Sequence, residues 1–215
     1  MTAETIIFSG NIDKDTGSSG EKYGGGALYQ RSSSGATIVM GKEGGTVTFS
    51  DNKSNTIGGA IGIRATDGKT SLITLKSNTI FENNTSKLSG GVIWNKAEGA
   101  GTASNIVFED AVTFTNNKAG VDLEGQAVDG STAKGGAICN EYSGIIGNIT
   151  GNFEGNYAAG SNGDGGAIHN FQGTINNIIG NFKNNLMRFK DLSEISKPNF
   201  SQKDNAFLLF ESMSK

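Results

Sequence analysis

The sequence predicts an all-β chain wound as a parallel β-helix of about six coils, each with about three short strands. Three observations carry that expectation. A double-glycine tetrapeptide recurs as GGAL at 25–28, GGAI at 58–61, GGVI at 90–93, GGAI at 135–138 and GGAI at 165–168. A second tetrapeptide, Phe-x-x-Asn, alternates with it without a break, starting at Phe8, Phe49, Phe81, Phe114, Phe153 and Phe182. Apolar residues before the phenylalanines alternate with polar ones, as in TVTF at 46–49 and AVTF at 111–114, which is the period of a strand. No stretch before residue 186 carries a helical period.

The phenylalanine strand comes first in each period. Val47, Val112, Ile149 and Ile178 share the parity of the phenylalanine that follows them and point to the same face. The asparagine closing Phe-x-x-Asn is expected at a bend, because asparagine accepts left-handed backbone angles. From Phe to the next double glycine the gap is 17, 9, 9, 21 and 12 residues. So variable a gap between fixed elements is a loop that tolerates insertion. The long insertions fall at 12–23 and 118–134, both polar and glycine-rich.

The double glycine is expected to make a turn of positive φ or a close approach between coils. The apolar residue that closes the tetrapeptide opens the next strand, so Ile61, Ile93, Ile138 and Ile168, with Leu28, should stack as one inward column. Asn95, Asn140 and Asn170, with Gln30 in the first copy, lie two residues on and share that inward parity. A buried amide is tolerable only when paired, and stacked amides can pair with one another. The slot between them holds Tyr29, Gly62, Trp94, Cys139 and His169 and is expected to face outward. A third apolar stretch completes the coil: ATIVM at 36–40, SLITL at 71–75, SNIVF at 104–108, SGIIG at 143–147 and GTINN at 173–177. From double glycine to Phe the distance is 24, 23, 24, 18 and 17 residues, two narrow classes. A propeller would need four antiparallel strands at a steadier, longer period. Stacking at about 4.8 Å per coil gives a rod about 29 Å long.

The last segment differs. Residues 186–215 contain no glycine, although the preceding 185 hold all 33, and they contain the single proline, Pro198. The chain therefore divides into repeats over 1–185 and a tail or cap over 186–215. Leu186, Phe189, Leu192 and Ile195 could share one face of a short helix there.

Composition narrows function mainly by exclusion. The chain of 215 residues has a net charge of −3 and no run of like charge, which argues against a nucleic-acid partner. It has no apolar run long enough for a membrane-spanning helix, and its first residues do not read as a signal peptide. Cys139 is the single cysteine, so no internal disulfide is expected, and it reads as a small residue in its repeat slot. His169 is the single histidine and reads as a solvated surface residue. Without further histidines or clustered carboxylates, no catalytic residues, metal ligands or cofactor are expected. DKDTGSSGE at 13–21 and NGDGG at 162–166 read as polar turns, not calcium loops. A threonine array begun by Thr46 and Thr48 is broken by Ile80, Asn152 and Asn181. Glu82 and Glu154 share the slot after phenylalanine but are separated by the coil of Phe114.

The strict alternation of GGA(I/L/V) with FxxN over residues 1 to about 185 resembles the passenger regions of chlamydial polymorphic outer membrane proteins. The run GIIGNITGNFEGNYAAGSNGDGGAIHNFQGTINNIIGNF is similar to repeats of other bacterial autotransporter adhesins. The resemblance implies a right-handed β-helix carried to the cell surface, outer membrane or exterior by a C-terminal translocator barrel that this sequence does not include. It implies a stalk or adhesin without catalysis, with a host-cell protein or glycan as partner. Trp94 and Tyr29, in outward slots, are the expected contact residues. The alternative expectation is a β-helical polysaccharide-binding or polysaccharide-degrading protein, which a cluster of carboxylates on one face would favour.

Overall fold

The computed structural model describes residues 4–16, 23–33, 35–128, 131–160 and 163–188. Every regular element among them is a strand, and the strands stack as successive coils of a parallel β-helix. The phenylalanine strands are Thr5–Ser9, Thr46–Ser50, Asn78–Glu82 and Val112–Thr115, continued by Gly144–Glu154 and Phe182–Lys183. They pair in parallel and in register, so that Phe8, Phe49, Phe81, Phe114, Phe153 and Phe182 lie over one another. Their rings form a continuous near-parallel stack with centroids 4.7, 5.1, 5.0, 4.5 and 4.6 Å apart. The ring spacing matches the strand spacing, so each coil adds one ring to the column without adjusting the backbone. The four inner rings are fully buried, each worth about 1.5–3 kcal/mol of apolar transfer.

The double-glycine strands Leu28–Ser32, Ile61–Ala65, Ile93–Ala97, Ile138–Tyr142 and Ile168–Phe171 make the second wall, with Leu28, Ile61, Ile93, Ile138 and Ile168 in one column. Middle strands close the section: Ala36–Met40, Thr70–Leu75, Ala103–Phe108, the start of Gly144–Glu154, and Thr174–Ile179. They contribute Ile38, Ile73, Ile106, Ile146 and Ile175. Gly90 and Gly91 show why the glycine is doubled. Gly90 has φ +66°, and a side chain on Gly91 would fall on the carbonyl oxygen of Gly136 in the next coil. One glycine makes the turn and the other lets adjacent coils touch.

Three features of each coil differ from the expectation. The residue at the bend is the one before the closing asparagine: Asp51, Asn83, Asn116 and Asn184 take φ of 54–55°, and Gly10 and Gly155 fill that position elsewhere. The closing asparagines themselves turn inward. Asn11, Asn52, Asn84, Asn117, Asn156 and Asn185 form one ladder in which each Nδ2 donates to the next Oδ1 at 2.8–3.0 Å. Each Oδ1 also accepts the backbone N–H of the preceding asparagine. The second Nδ2 hydrogen goes to a phenylalanine carbonyl, as from Asn84 to Phe49 and from Asn117 to Phe81. A buried amide so placed spends both donors and both lone pairs, which makes its burial tolerable. Beyond each asparagine lies a fourth, two-residue strand: Ile12–Asp13, Lys53–Ser54, Thr85–Ser86, Lys118–Ala119, Tyr157–Ala158 and Leu186–Met187. Leu186–Met187 pairs with Tyr157–Ala158, so the helix expected from Leu186 does not begin there. Residues 189–215, with the other tail expectations, lie outside the described residues.

The two spacing classes arise mainly at the connection into the middle strand, and in the first coil at the turn 41–45 that follows that strand. Asn95 is followed by Ser104 across the corner 98–102, whereas Asn140 and Asn170 are followed almost at once by Gly144 and Gly173. The later coils therefore lack the projecting corner, and Gly144–Glu154 runs unbroken from the middle wall into the phenylalanine wall.

Candidate functional site

The inward slots hold packing groups and paired amides, so chemistry is left to the outer faces and loops. Asn95, Asn140 and Asn170 make the second ladder the sequence predicts. Asn95 Nδ2 donates to Asn140 Oδ1 at 2.8 Å, and Asn140 Nδ2 to Asn170 Oδ1 at 2.7 Å. The same amides donate to Ser104, Gly144 and Gly173 carbonyls and so tie the double-glycine strands to the corner. Ile63 occupies this position between Gln30 and Asn95, and Gln30 Nε2 turns to the Ala36 carbonyl instead.

On the outer face of the double-glycine wall, Arg31, Arg64, Lys96, Glu141 and Phe171 lie in one register column. Tyr29, Gly62, Trp94, Cys139 and His169 form the column beside it. Trp94 faces away from the main core, as expected, yet it is only 6% exposed. Its neighbours in the column are Gly62 and Cys139, too small to prop the indole outward, and it packs on Ile57, Leu88 and Cys139 as a second apolar cluster. As an exposed contact residue it is therefore corrected. Tyr29 is half-buried, edge-on to Tyr23 with centroids 5.9 Å apart.

His169 is likewise not the solvated residue expected: its Nε2 is buried without a hydrogen-bond partner, and its ring lies against Phe171. Burial, and then the Lys134 ammonium, lower its pKa below the ordinary histidine value. Cys139 is fully buried, and burial, followed by the Glu141 carboxylate, pushes its thiol well above the usual range.

The charged groups on this face are paired. Glu98, at the projecting corner, accepts from Arg64 Nε and Nη2 at 3.0 and 2.7 Å and from Lys96 Nζ at 2.6 Å. Burial raises the Glu98 pKa, but the hydrogen bonds and charges of Lys96 and Arg64 outweigh it, and the net shift is downward. Glu141 accepts from Trp94 Nε1 at 3.2 Å and lies 3.5 Å from Lys134 Nζ. These groups border a cleft of about 310 Å³ between the corner and Thr132 and Lys134 of the insertion.

Just past the corner, where the later coils lose their projecting turn, the surface steps down. Ala97, Glu98, Gly99, Tyr142, Ser143 and Gln172 line the ledge, about 420 Å³ in volume. Tyr142 is 41% exposed and Phe171 45%, edge-on with centroids 6.0 Å apart. Lys96 Nζ sits 4.6 Å from the Tyr142 ring centroid. Tyr142 and Gln172 hold φ of 56° and 57°, a conformation costly for a large side chain. The sequence reasoning passed over Tyr142, Gln172 and Glu98. The available signal was the shortened spacing after Asn140 and Asn170.

The insertion 118–134 leaves and rejoins this region. Its described part makes an antiparallel bridge between Val121 and Ala127 and is held by Lys53 Nζ, which donates to the Leu123 carbonyl at 2.7 Å. Among the described residues, no group of three or more His, Cys, Asp or Glu is placed to hold a metal ion, and no helix is long and apolar enough to cross a membrane. Glu82 and Glu154 each pair with Thr115, which stands between them.

Comparison with known proteins gives one family. Three segments match the Chlamydia polymorphic membrane protein repeat, residues 46–64, 78–96 and 111–141. The resemblance read from the tetrapeptides is thereby shown, over about a third of the chain. The three matched segments each contain a phenylalanine strand, its ladder asparagine and the following double glycine. A repeat of that family implies association with the outer membrane or cell surface. No curated protein and no solved structure matches the chain.

Proposed function

We propose that this chain is part of a surface-exposed, autotransporter-type passenger that acts as a stalk or adhesin and not as an enzyme. The observation that carries the reading is the matched repeat built into a solenoid whose described inward columns are stacked rings, branched apolar residues and amide ladders. Stacked rings and amide ladders make a stiff rod, and a rod holds its outer faces away from the membrane that anchors it. The double-glycine face, with the ledge at Tyr142 and the insertion 118–134, is the contact surface. The partner is a host-cell protein or glycan.

The carboxylates on this face favour binding over hydrolysis. Glu98 and Glu141 are engaged with Arg64, Lys96 and Lys134, whereas glycosidase chemistry needs one carboxyl held protonated. The test is adhesion. Beads coated with the chain should bind cultured epithelial cells above uncoated beads, and soluble chain should compete. Beads that bind no better than blanks would remove the adhesive role. Release of reducing ends from incubated polysaccharide would replace it with the enzymatic alternative.

A further inference from the structure

We infer that the ledge at the step between the long-cornered and short-cornered coils is a binding site for a neutral pyranose oligosaccharide. The inference rests on the adhesive reading above and names the ligand class of that surface.

The geometry comes from the spacing classes. The corner carrying Glu98 and Gly99 projects, and the next two coils turn directly at Tyr142–Ser143 and Gln172. The resulting concavity lies at the step between these coils. Its polar lining is a carboxylate, an amide and a hydroxyl, from Glu98, Gln172 and Ser143. Such groups exchange hydrogen bonds with vicinal hydroxyls. Its apolar lining is the exposed Tyr142 ring, with Phe171 edge-on beside it. An aromatic ring offers an apolar surface to the C–H face of a pyranose.

Two observations separate this place from an ordinary surface aromatic. Tyr142 takes a left-handed backbone, as Gln172 does at the same corner of the next coil, whereas the phenylalanine bends give that conformation to Asp, Asn or Gly. Strain retained against an easy alternative is a mark of function. The ring is also aimed: Lys96 lies over it and Phe171 abuts it, so it is presented in one orientation. The charges argue for a neutral sugar. Arg64 and Lys96 are both engaged by Glu98, so an acidic sugar would have to break an existing pair to gain a cation.

The experiment uses the full chain on a printed array of pyranose oligosaccharides, followed by titration of the best-retained one. Tyr142→Gly removes the ring and relieves the backbone. It should weaken binding by about tenfold while leaving the melting temperature unchanged or raised. Tyr142→Phe, which keeps the ring, should retain binding. Failure of the wild-type chain to retain any oligosaccharide overturns the inference, as does undiminished binding by Tyr142→Gly. Cell adhesion that the soluble oligosaccharide does not compete also overturns it, while leaving the adhesive role standing. Sugar binding by a chain that adheres to no cell supports the ledge and removes the adhesive role.

Discussion

At the scale of the residue, the asparagine ladder is the feature most sensitive to change. Asn84 accepts from both the backbone N–H and the Nδ2 of Asn52, and donates to Asn117 and to the Phe49 carbonyl. Asn84→Ala removes the acceptor from two buried donors at once. It should cost roughly 2–4 kcal/mol in urea denaturation, since each orphaned buried group costs about 1–3 kcal/mol. Asn185→Ala, half-buried in the last described coil, should cost clearly less, because water can replace what is lost. His169 supplies the pH dependence. Its folded pKa is lowered, so the unfolded chain takes up a proton first as pH falls. The neutral, half-buried ring is therefore accommodated above the ordinary histidine pKa, and stability is lost as pH drops through about 6.5. Thermal unfolding followed between about pH 7.5 and 5.5 should show that loss in the wild type and a flatter profile in His169→Gln. A wild-type curve as flat as the variant's would mean the ring is solvated after all.

At the scale of the element, the insertion 118–134 helps to enclose Trp94. The indole lies among Ile57, Leu88 and Cys139, with Thr132 and Lys134 bordering the same cleft. Deleting 124–134 joins Leu123 to Gly135 and leaves a connection close in length to those after Phe49 and Phe81. The strand signal in far-UV circular dichroism should persist, while Trp94 emission moves to longer wavelength and becomes quenchable by acrylamide. Unchanged emission would show that Ile57 and Leu88 cover the indole alone. This element also marks where sequence reading stops. The phenylalanine and isoleucine columns were legible because parity and strict repetition fix which side chains meet. The fate of the slot beside them was not, because it depends on neighbours a coil away: Trp94 is buried by small residues at Gly62 and Cys139 and by turns, not by its own strand. The closing asparagines were read as bend residues for a related reason. Asp51, Asn83 and Asn116 take the bend one position earlier, leaving Asn52, Asn84 and Asn117 to turn inward, and composition alone does not distinguish two adjacent turn-forming residues. Tyr142 does not stand out in the sequence, because the shorter spacing after Asn140 gives the length of the connection and not which corner it removes.

At the scale of the whole molecule, stability should be close to a sum of coil terms and nearest-neighbour interfaces, since each coil pairs only with the ones before and after it. That permits removal of a complete period. Gly58 and Gly90 are equivalent positions, so joining Ile57 to Gly90 by deletion of 58–89 leaves Asn52 next to Asn117 in the ladder and Phe49 next to Phe114 in the stack. Met40 and Phe108 become the facing pair on the middle wall, a change of shape but not of polarity. The shortened rod should still unfold in one transition, with a denaturant slope lower by about a sixth, because about one coil in six of the buried surface is gone. Its length in solution scattering should fall by about 4.8 Å, one strand spacing. Loss of cooperative unfolding on removing a single period would mean that the columns are not interchangeable layers but a core with a fixed centre. The ledge offers an internal check on the same variant. Ala97, Glu98, Gly99, Tyr142, Ser143 and Gln172 all lie beyond the deletion, so oligosaccharide binding should survive in a rod one coil shorter. Arg64 is lost with the deleted coil, leaving Lys96 as the partner of Glu98, and the carboxylate is then held at the ledge by one cation instead of two.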